Sequence, residues 1–122
     1  GVSGAGHQIE GNNTNSDTWF LEHREPTVFR EPSGAACNSW ELWATDLDLA
    51  VGLGCTAYRF SVEWARVEPE PGSFDDAALD HYEAMVDGWS SSPELKQFAS
   101  AGLLAFSTFG IGMVLGRRRG SA

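Results

Sequence analysis

Hydrophobic positions along residues 39–88 follow two different periods, and the change of period separates two predicted helices from a strand between them. Over residues 39–53 the apolar side chains recur every three or four positions, as on the buried face of an amphipathic helix. They are Trp40, Trp43, Leu47 and then Ala50 or Val51. Asn38 is placed to cap this helix, with Glu41 reaching back as the partner of a capping box.

Residues 56–64 instead alternate apolar and polar side chains, which is the period of a half-buried strand. Tyr58, Phe60 and Val62 share one face, which we expect to pack against helices. Because successive side chains of a strand point to opposite faces, Arg59 is expected on the other face.

A second helix is predicted from about residue 74 to Gly88, with Ser73 as its cap and Asp76 as the partner of that cap. Its apolar stripe contains Leu79, Tyr82, Met85 and Val86. The Gly-rich residues 1–6 are compatible with a further strand or with a loop. Helices and strands that alternate over short connections predict a parallel α/β fold with right-handed crossovers.

The C-terminal tail follows a different pattern, since residues 97–116 carry no charge and three arginines follow them. One interpretation is an apolar helix, either buried or spanning a membrane with the C-terminus in the cytoplasm. The other is a buried strand over residues 103–109 that follows a helix over residues 94–101. Both interpretations stay open from the sequence.

Charge divides the chain of 122 residues into two segments. Residues 1–92 hold 16 acidic and four basic residues, a net charge of −12, whereas residues 93–122 have a net charge of +3. We therefore predict a boundary near residue 92, with residues 93–122 as a separate tail. The acidic excess argues against a nucleic-acid partner, because neutralising phosphates requires clustered Lys and Arg.

The cysteines and histidines suggest no cofactor. Cys37 and Cys55 lack the spacing of a zinc site, and we expect them to be buried free thiols in a reducing, cytoplasmic setting. The three histidines are too far apart in the sequence to suggest a metal site.

Two motifs carry a family resemblance. Residues 7–11 (HQIEG) resemble the N-terminal signature of glycoside hydrolase family 1, the β-glucosidase family, and residues 57–66 (AYRFSVEWAR) resemble its second barrel strand. Shorter motifs lie between and after them in the family's order, so the resemblance covers about residues 1–89. It implies a partial TIM (β/α)8 barrel of two to three βα units, because a complete barrel needs roughly 200–250 residues.

The resemblance also implies roles for particular residues. In the family, the glutamine at the position of Gln8 binds hydroxyl groups of the sugar, and the arginine at the position of Arg59 lies beside the catalytic nucleophile. Glu10 is expected to support the loop after the first strand. His81 lies next to the apolar stripe of its helix, and we expect it to pack or to form a hydrogen bond there.

The resemblance places no catalytic carboxylate in this chain. The family takes its acid/base and its nucleophile from Asn-Glu-Pro and Glu-Asn-Gly motifs, and neither tripeptide occurs here. Glu63 is not expected to replace them. The chain is therefore predicted to be a fragment of a retaining enzyme for β-linked glycosides, inactive alone. The alternatives are a non-enzymatic module tethered to a membrane through residues 97–116, and a truncated product without function.

Overall fold

The computed structural model describes residues 1–92. Two short strands and five helices follow one another: β1 (Val2–Ser3), α1 (Gly6–Ile9), α2 (Asp17–Glu22), α3 (Ser39–Gly52), β2 (Tyr58–Arg59), α4 (Trp64–Val67) and α5 (Asp76–Ser91). Within this part of the chain, no helix combines the length and the hydropathy needed to span a membrane. The tail with its helix and strand alternatives lies outside the described residues, and the cytoplasmic location stays a prediction.

β1 and β2 form a parallel two-stranded sheet, with Val2 paired to Tyr58 and Ser3 paired to Arg59. Parallel neighbours need a crossover connection, and α3 lies in that connection. The α/β class and the strand within residues 1–6 are confirmed. Together, α1 and α2 precede α3 as two short helices that the hydrophobic pattern does not predict.

The predicted strand over residues 56–64 is too long, since pairing stops at Arg59 and α4 begins at Trp64. Beyond the paired residues, side chains of the segment bond to the loop after β1 instead of extending the ladder. The hydroxyl of Ser61 accepts a hydrogen bond from the amide of Gly6 at 2.6 Å. A strand needs a partner along its length, and β1 supplies only two residues.

α3 confirms the first predicted helix, and Leu47 and Ala50 on its predicted face are buried. The predicted capping box is wrong. Asn38 has a left-handed backbone with φ of 54°, and its side chain makes no capping hydrogen bond. A capping side chain reaches the first free amides from an extended backbone, which Asn38 does not have.

α5 begins later than predicted and is capped by Asp75 rather than by Ser73. The carboxylate of Asp75 accepts hydrogen bonds from the amides of Ala77 at 2.9 Å and Ala78 at 3.3 Å. Ser73, the predicted cap, lies two residues before Asp75 in the sequence and is not the N-cap of the observed helix.

Gly88 does not end α5, which continues to Ser91. Instead it allows close packing, because a Cβ on Gly88 would lie 2.8 Å from Cζ3 of Trp43. The predicted stripe is correct for Tyr82 and Met85, which are buried, and wrong for Val86, which is 48% exposed.

The hydrophobic core lies where α3, α4 and α5 meet β2. Its buried members are Val67, Ala78, Tyr82 and Met85, with Trp40, Trp43, Phe60 and Leu79 packed around them. This arrangement confirms that the tryptophans of α3 serve as core residues.

Aromatic side chains of β2 and of the residue after it pack against α5. The ring centroid of Tyr58 lies 5.7 Å from that of Trp89, and the ring centroid of Phe60 lies 6.4 Å from that of Tyr82. Val62 is expected on the same face but does not pack there, since it is 48% exposed.

The expectation of buried thiols is wrong for Cys37, which is exposed because it lies in the irregular segment before α3.

Candidate functional site

The carboxyl edge of the sheet brings Gln8 and Arg59 to the same end of the fold. Arg59 is the last residue of β2, and Gln8 lies in α1, which begins shortly after the end of β1. The amide of Gly4 donates to the carbonyl oxygen of Arg59 at 2.9 Å, which joins the two strand ends. Ligand sites of parallel α/β folds form at this edge.

Both predicted site residues are exposed. Neither side chain makes a hydrogen bond within residues 1–92, whereas the side chains of His7 and Glu10, which lie close to Gln8 in the sequence, do. The expected packing of Tyr58 and Phe60 against helices is confirmed by their contacts with α5. The sheet edge therefore presents an amide and a guanidinium with free hydrogen-bonding groups.

The start of α1 is fixed by the segment after β2. Gly6 is buried, its amide donates to the hydroxyl of Ser61, and a Cβ on Gly6 would overlap the side chain of Glu63. A side chain at position 6 would therefore displace the side chain of Glu63, and glycine lets α1 approach this closely without that change. The contact fixes where the turn carrying Gln8 begins.

The end of α1 is fixed by Glu10, which is 6% exposed. Its carboxylate accepts hydrogen bonds from Nε of Arg66 at 2.8 Å and from the hydroxyl of Tyr82 at 3.0 Å. Burial raises the pKa of Glu10, and the bonds to Tyr82 and Arg66 oppose this rise without cancelling it. The expected supporting role of Glu10 is confirmed.

Arg66 links this carboxylate to the core. Its second nitrogen, Nη2, donates to the carbonyl oxygen of Gly11 at 2.6 Å, and its Cζ lies 4.2 Å from the ring centroid of Trp40. The imidazole of His81 stacks on the same indole at 3.8 Å, and burial lowers the pKa of His81. These groups cover Trp40, which is therefore a packing residue. Of the two alternatives predicted for His81, packing is the one observed.

Glu63 bridges the two segments. Its carboxylate accepts from the amide nitrogen of Asn13 at 2.8 Å and from the hydroxyl of Ser61 at 3.3 Å. Its backbone amide donates to the hydroxyl of Tyr82 at 3.0 Å. The carboxylate is thus occupied by contacts that join the loop after α1 to the segment after β2.

A third carboxylate, Glu22, lies beside α1. One of its oxygens is 2.8 Å from Nε2 of His7, and the other accepts from the amide of Ser33 at 3.0 Å and from its hydroxyl at 2.9 Å. The contacts of Glu22 and of Arg66 were not predictable from spacing, because they join residues whose positions depend on the folded loops. The sequence feature that comes closest to indicating these contacts is the pair of polar residues His7 and Glu10, which lie before and after Gln8.

An open polar cleft of about 450 Å³ lies between the loop after α1 and the start of α5. Residues 12–15 form one wall, and Arg66, Asp75 and His81 lie on the others. Within residues 1–92, no group of three or more His, Cys, Asp or Glu side chains is placed to hold a metal ion.

Comparison with known proteins gives consistent matches. Residues 1–96 match the sequence model of Glycosyl hydrolase family 1. A beta-glucosidase from Agrobacterium sp. (strain ATCC 21400) is 35% identical over 101 residues, a match that spans 72% of this chain and 21% of the relative.

Solved structures agree with the sequence match. The crystal structure of the beta-glycosidase BGL167 superimposes with a TM-score of 0.73 and 57% identity over 74% of this chain and 22% of that protein. A beta-glucosidase from Thermotoga maritima in complex with glucoimidazole gives a TM-score of 0.63 and 30% identity over 72% of this chain and 22% of that protein. The chain thus spans about a fifth of the length of these relatives.

Proposed function

This chain belongs to glycosyl hydrolase family 1, and we propose that it forms the first part of a (β/α)8 barrel that hydrolyses β-linked glucosides with retention. The parallel pairing of β1 and β2 across a helical connection supports this, since such a barrel is built from parallel strands joined by helices. The names of the relatives, beta-glucosidase and beta-glycosidase, support the substrate class.

One observation carries the proposal: Gln8 and Arg59 are exposed at the carboxyl edge of the sheet, where barrel enzymes bind their substrates. An amide offers both a donor and an acceptor, so Gln8 can pair with neighbouring hydroxyl groups of one sugar ring. A guanidinium beside a carboxylate favours the ionised carboxylate. Arg59 would in this way keep the nucleophile of the complete barrel charged.

The isolated chain is proposed to lack activity. A retaining glycosidase needs two carboxyl groups about 5–5.5 Å apart, one as acid/base and one as nucleophile. Glu10, Glu22 and Glu63 are each engaged in contacts that hold the loops together. We propose that both reacting carboxylates come from the remainder of the barrel.

A hybrid enzyme tests this function. Residues 1–92 would replace the matching part of the beta-glycosidase BGL167, and hydrolysis of an aryl β-glucoside would be measured beside the 122-residue chain alone. The proposal expects turnover by the hybrid and none by the chain alone. Turnover by the chain alone that Glu63→Gln abolishes would contradict the proposal, as would a folded hybrid without turnover.

A further inference from the structure

We propose that His7 and Glu22 are positioning residues that set the orientation of Gln8 toward the sugar, an inference that rests on the proposed function. His7 directly precedes Gln8 in α1, and its Nε2 lies 2.8 Å from Oε1 of Glu22. The side chain of His7 is 17% exposed and that of Glu22 is 4% exposed. The pair therefore lies largely out of solvent next to the exposed amide.

Glu22 connects three segments of the chain. Besides His7 of α1, it binds Ser33 through both the amide and the hydroxyl of that residue. Burial raises the pKa of Glu22, but the hydrogen bonds from His7 and Ser33 outweigh this and lower it below its usual range. Glu22 is thus a carboxylate that only accepts, so Nε2 of His7 carries the proton in this contact.

The other ring nitrogen of His7 is engaged as well. Its Nδ1 lies 3.3 Å from the hydroxyl oxygen of Ser16, which also accepts from the amide of Trp19 and caps α2. Contacts at both nitrogens fix the plane of the imidazole. The hydroxyl oxygen of Ser16 also lies 2.9 Å from the carbonyl oxygen of Asn13, so the one hydroxyl hydrogen is shared between this carbonyl and Nδ1, which accepts when Nε2 carries the proton.

The short length of α1 explains why such contacts matter. A helix of four residues is far below the length at which a helix is stable by itself, so its geometry depends on outside contacts. The contacts of Glu10 fix the end of α1, and the His7–Glu22 contact fixes the residue adjacent to Gln8. Displacing a substrate-contacting group by about 1 Å can reduce the rate about 100-fold.

The test uses the hybrid enzyme and an aryl β-glucoside. His7→Phe should lower kcat/KM about tenfold, because the donor to Glu22 is lost and the turn can shift. His7→Gln, which can place an amide donor near the position of Nε2, should restore kcat/KM to within about threefold of the unsubstituted hybrid. His23→Phe is the matched control, since His23 is exposed and its contacts are with Trp19.

A double-substitution cycle separates positioning from general stability. If His7 acts through Gln8, His7→Phe should change kcat/KM less than about twofold in a hybrid that already carries Gln8→Ala. An equal loss in both backgrounds, or no loss with Gln8 present, would overturn the positioning role while leaving the proposed function intact. A folded but inactive unsubstituted hybrid would overturn the proposed function and the positioning role with it.

Discussion

Nε of Arg66 lies 2.8 Å from Oε2 of Glu10, so that an ion pair with little exposure ties the segment after β2 to the turn that carries Gln8. The side chains are 17% and 7% exposed, which places the pair at the margin of the core. The ion pair therefore fixes the C-terminal end of α1 beside the sheet edge, whereas the side chain of Gln8 is exposed.

Arg66→Leu should strongly destabilise the chain. It leaves the carboxylate of Glu10 without its charged partner and removes the donor to Gly11. Breaking one side of a buried ion pair costs about 3–5 kcal/mol. Urea unfolding of the 122-residue chain, followed by tryptophan fluorescence, measures the loss. Arg30→Leu is the control because Arg30 is exposed, and an equal effect of the two substitutions would contradict the assigned role.

Tyr82→Phe tests the hydroxyl that joins Glu10 to the backbone of Glu63. Its removal deprives Glu10 of a donor and the Glu63 amide of an acceptor, both with little access to solvent. Leaving such groups unpaired costs about 1–3 kcal/mol, which urea unfolding should detect. Tyr58→Phe serves as the control, because the Tyr58 hydroxyl makes no hydrogen bond within residues 1–92. A loss no larger than that of the control would contradict the account.

Gly11→Ala should destabilise the chain more than Gly54→Ala does. Both glycines have positive φ, 81° at Gly11 and 75° at Gly54, so alanine would cause a similar backbone strain at either position. Only at Gly11 would the new Cβ collide with backbone atoms of Ala35, whereas Gly54 faces open space. The difference in the free energy of unfolding should be about 1–3 kcal/mol, the usual cost of overpacking. Equal losses at both positions would contradict the close approach of these loops.

Acid should weaken the contribution of Glu22. Its pKa is lowered in the fold from the usual 4.5, so the stability it contributes is present above about pH 4.5 and is lost as pH falls through the folded value. The advantage in unfolding free energy of the unsubstituted chain over Glu22→Gln should therefore hold from about pH 6 to about pH 4.5 and shrink as pH falls further. The raised pKa of Glu10 acts in the opposite direction but is common to both proteins. An advantage that stays constant over this range would contradict the charged contact.

Periodicity predicted the elements whose contacts are local. Leu47 on α3 and Tyr82 on α5 lie on buried faces as the helical spacing indicates, and the parallel α/β order follows from the alternation of elements. Capping was predicted wrongly at Asn38 and Ser73, because a cap depends on backbone angles that residue type alone does not determine.

The contacts that support the site could be identified only from the three-dimensional structure. Glu10 and Arg66 are 56 residues apart, and nothing in the local pattern of either segment identifies the other as its partner. The same holds for Asn13 and Glu63, which are 50 residues apart. Sequence motifs identified Gln8 and Arg59 through a family resemblance, whereas spacing could not show which side chains fix the turn between the two segments.

We propose that Gln8 and Arg59 line a sugar-binding cavity in the complete barrel. The most direct measurement is kcat/KM for an aryl β-glucoside in the hybrid enzyme carrying Gln8→Ala or Arg59→Ala, beside Arg30→Ala as the exposed control. We expect a loss of about 100-fold or more for each site substitution, as for groups that stabilise a transition state, and no change for the control. Values within about twofold of the unsubstituted hybrid for both site substitutions would contradict it.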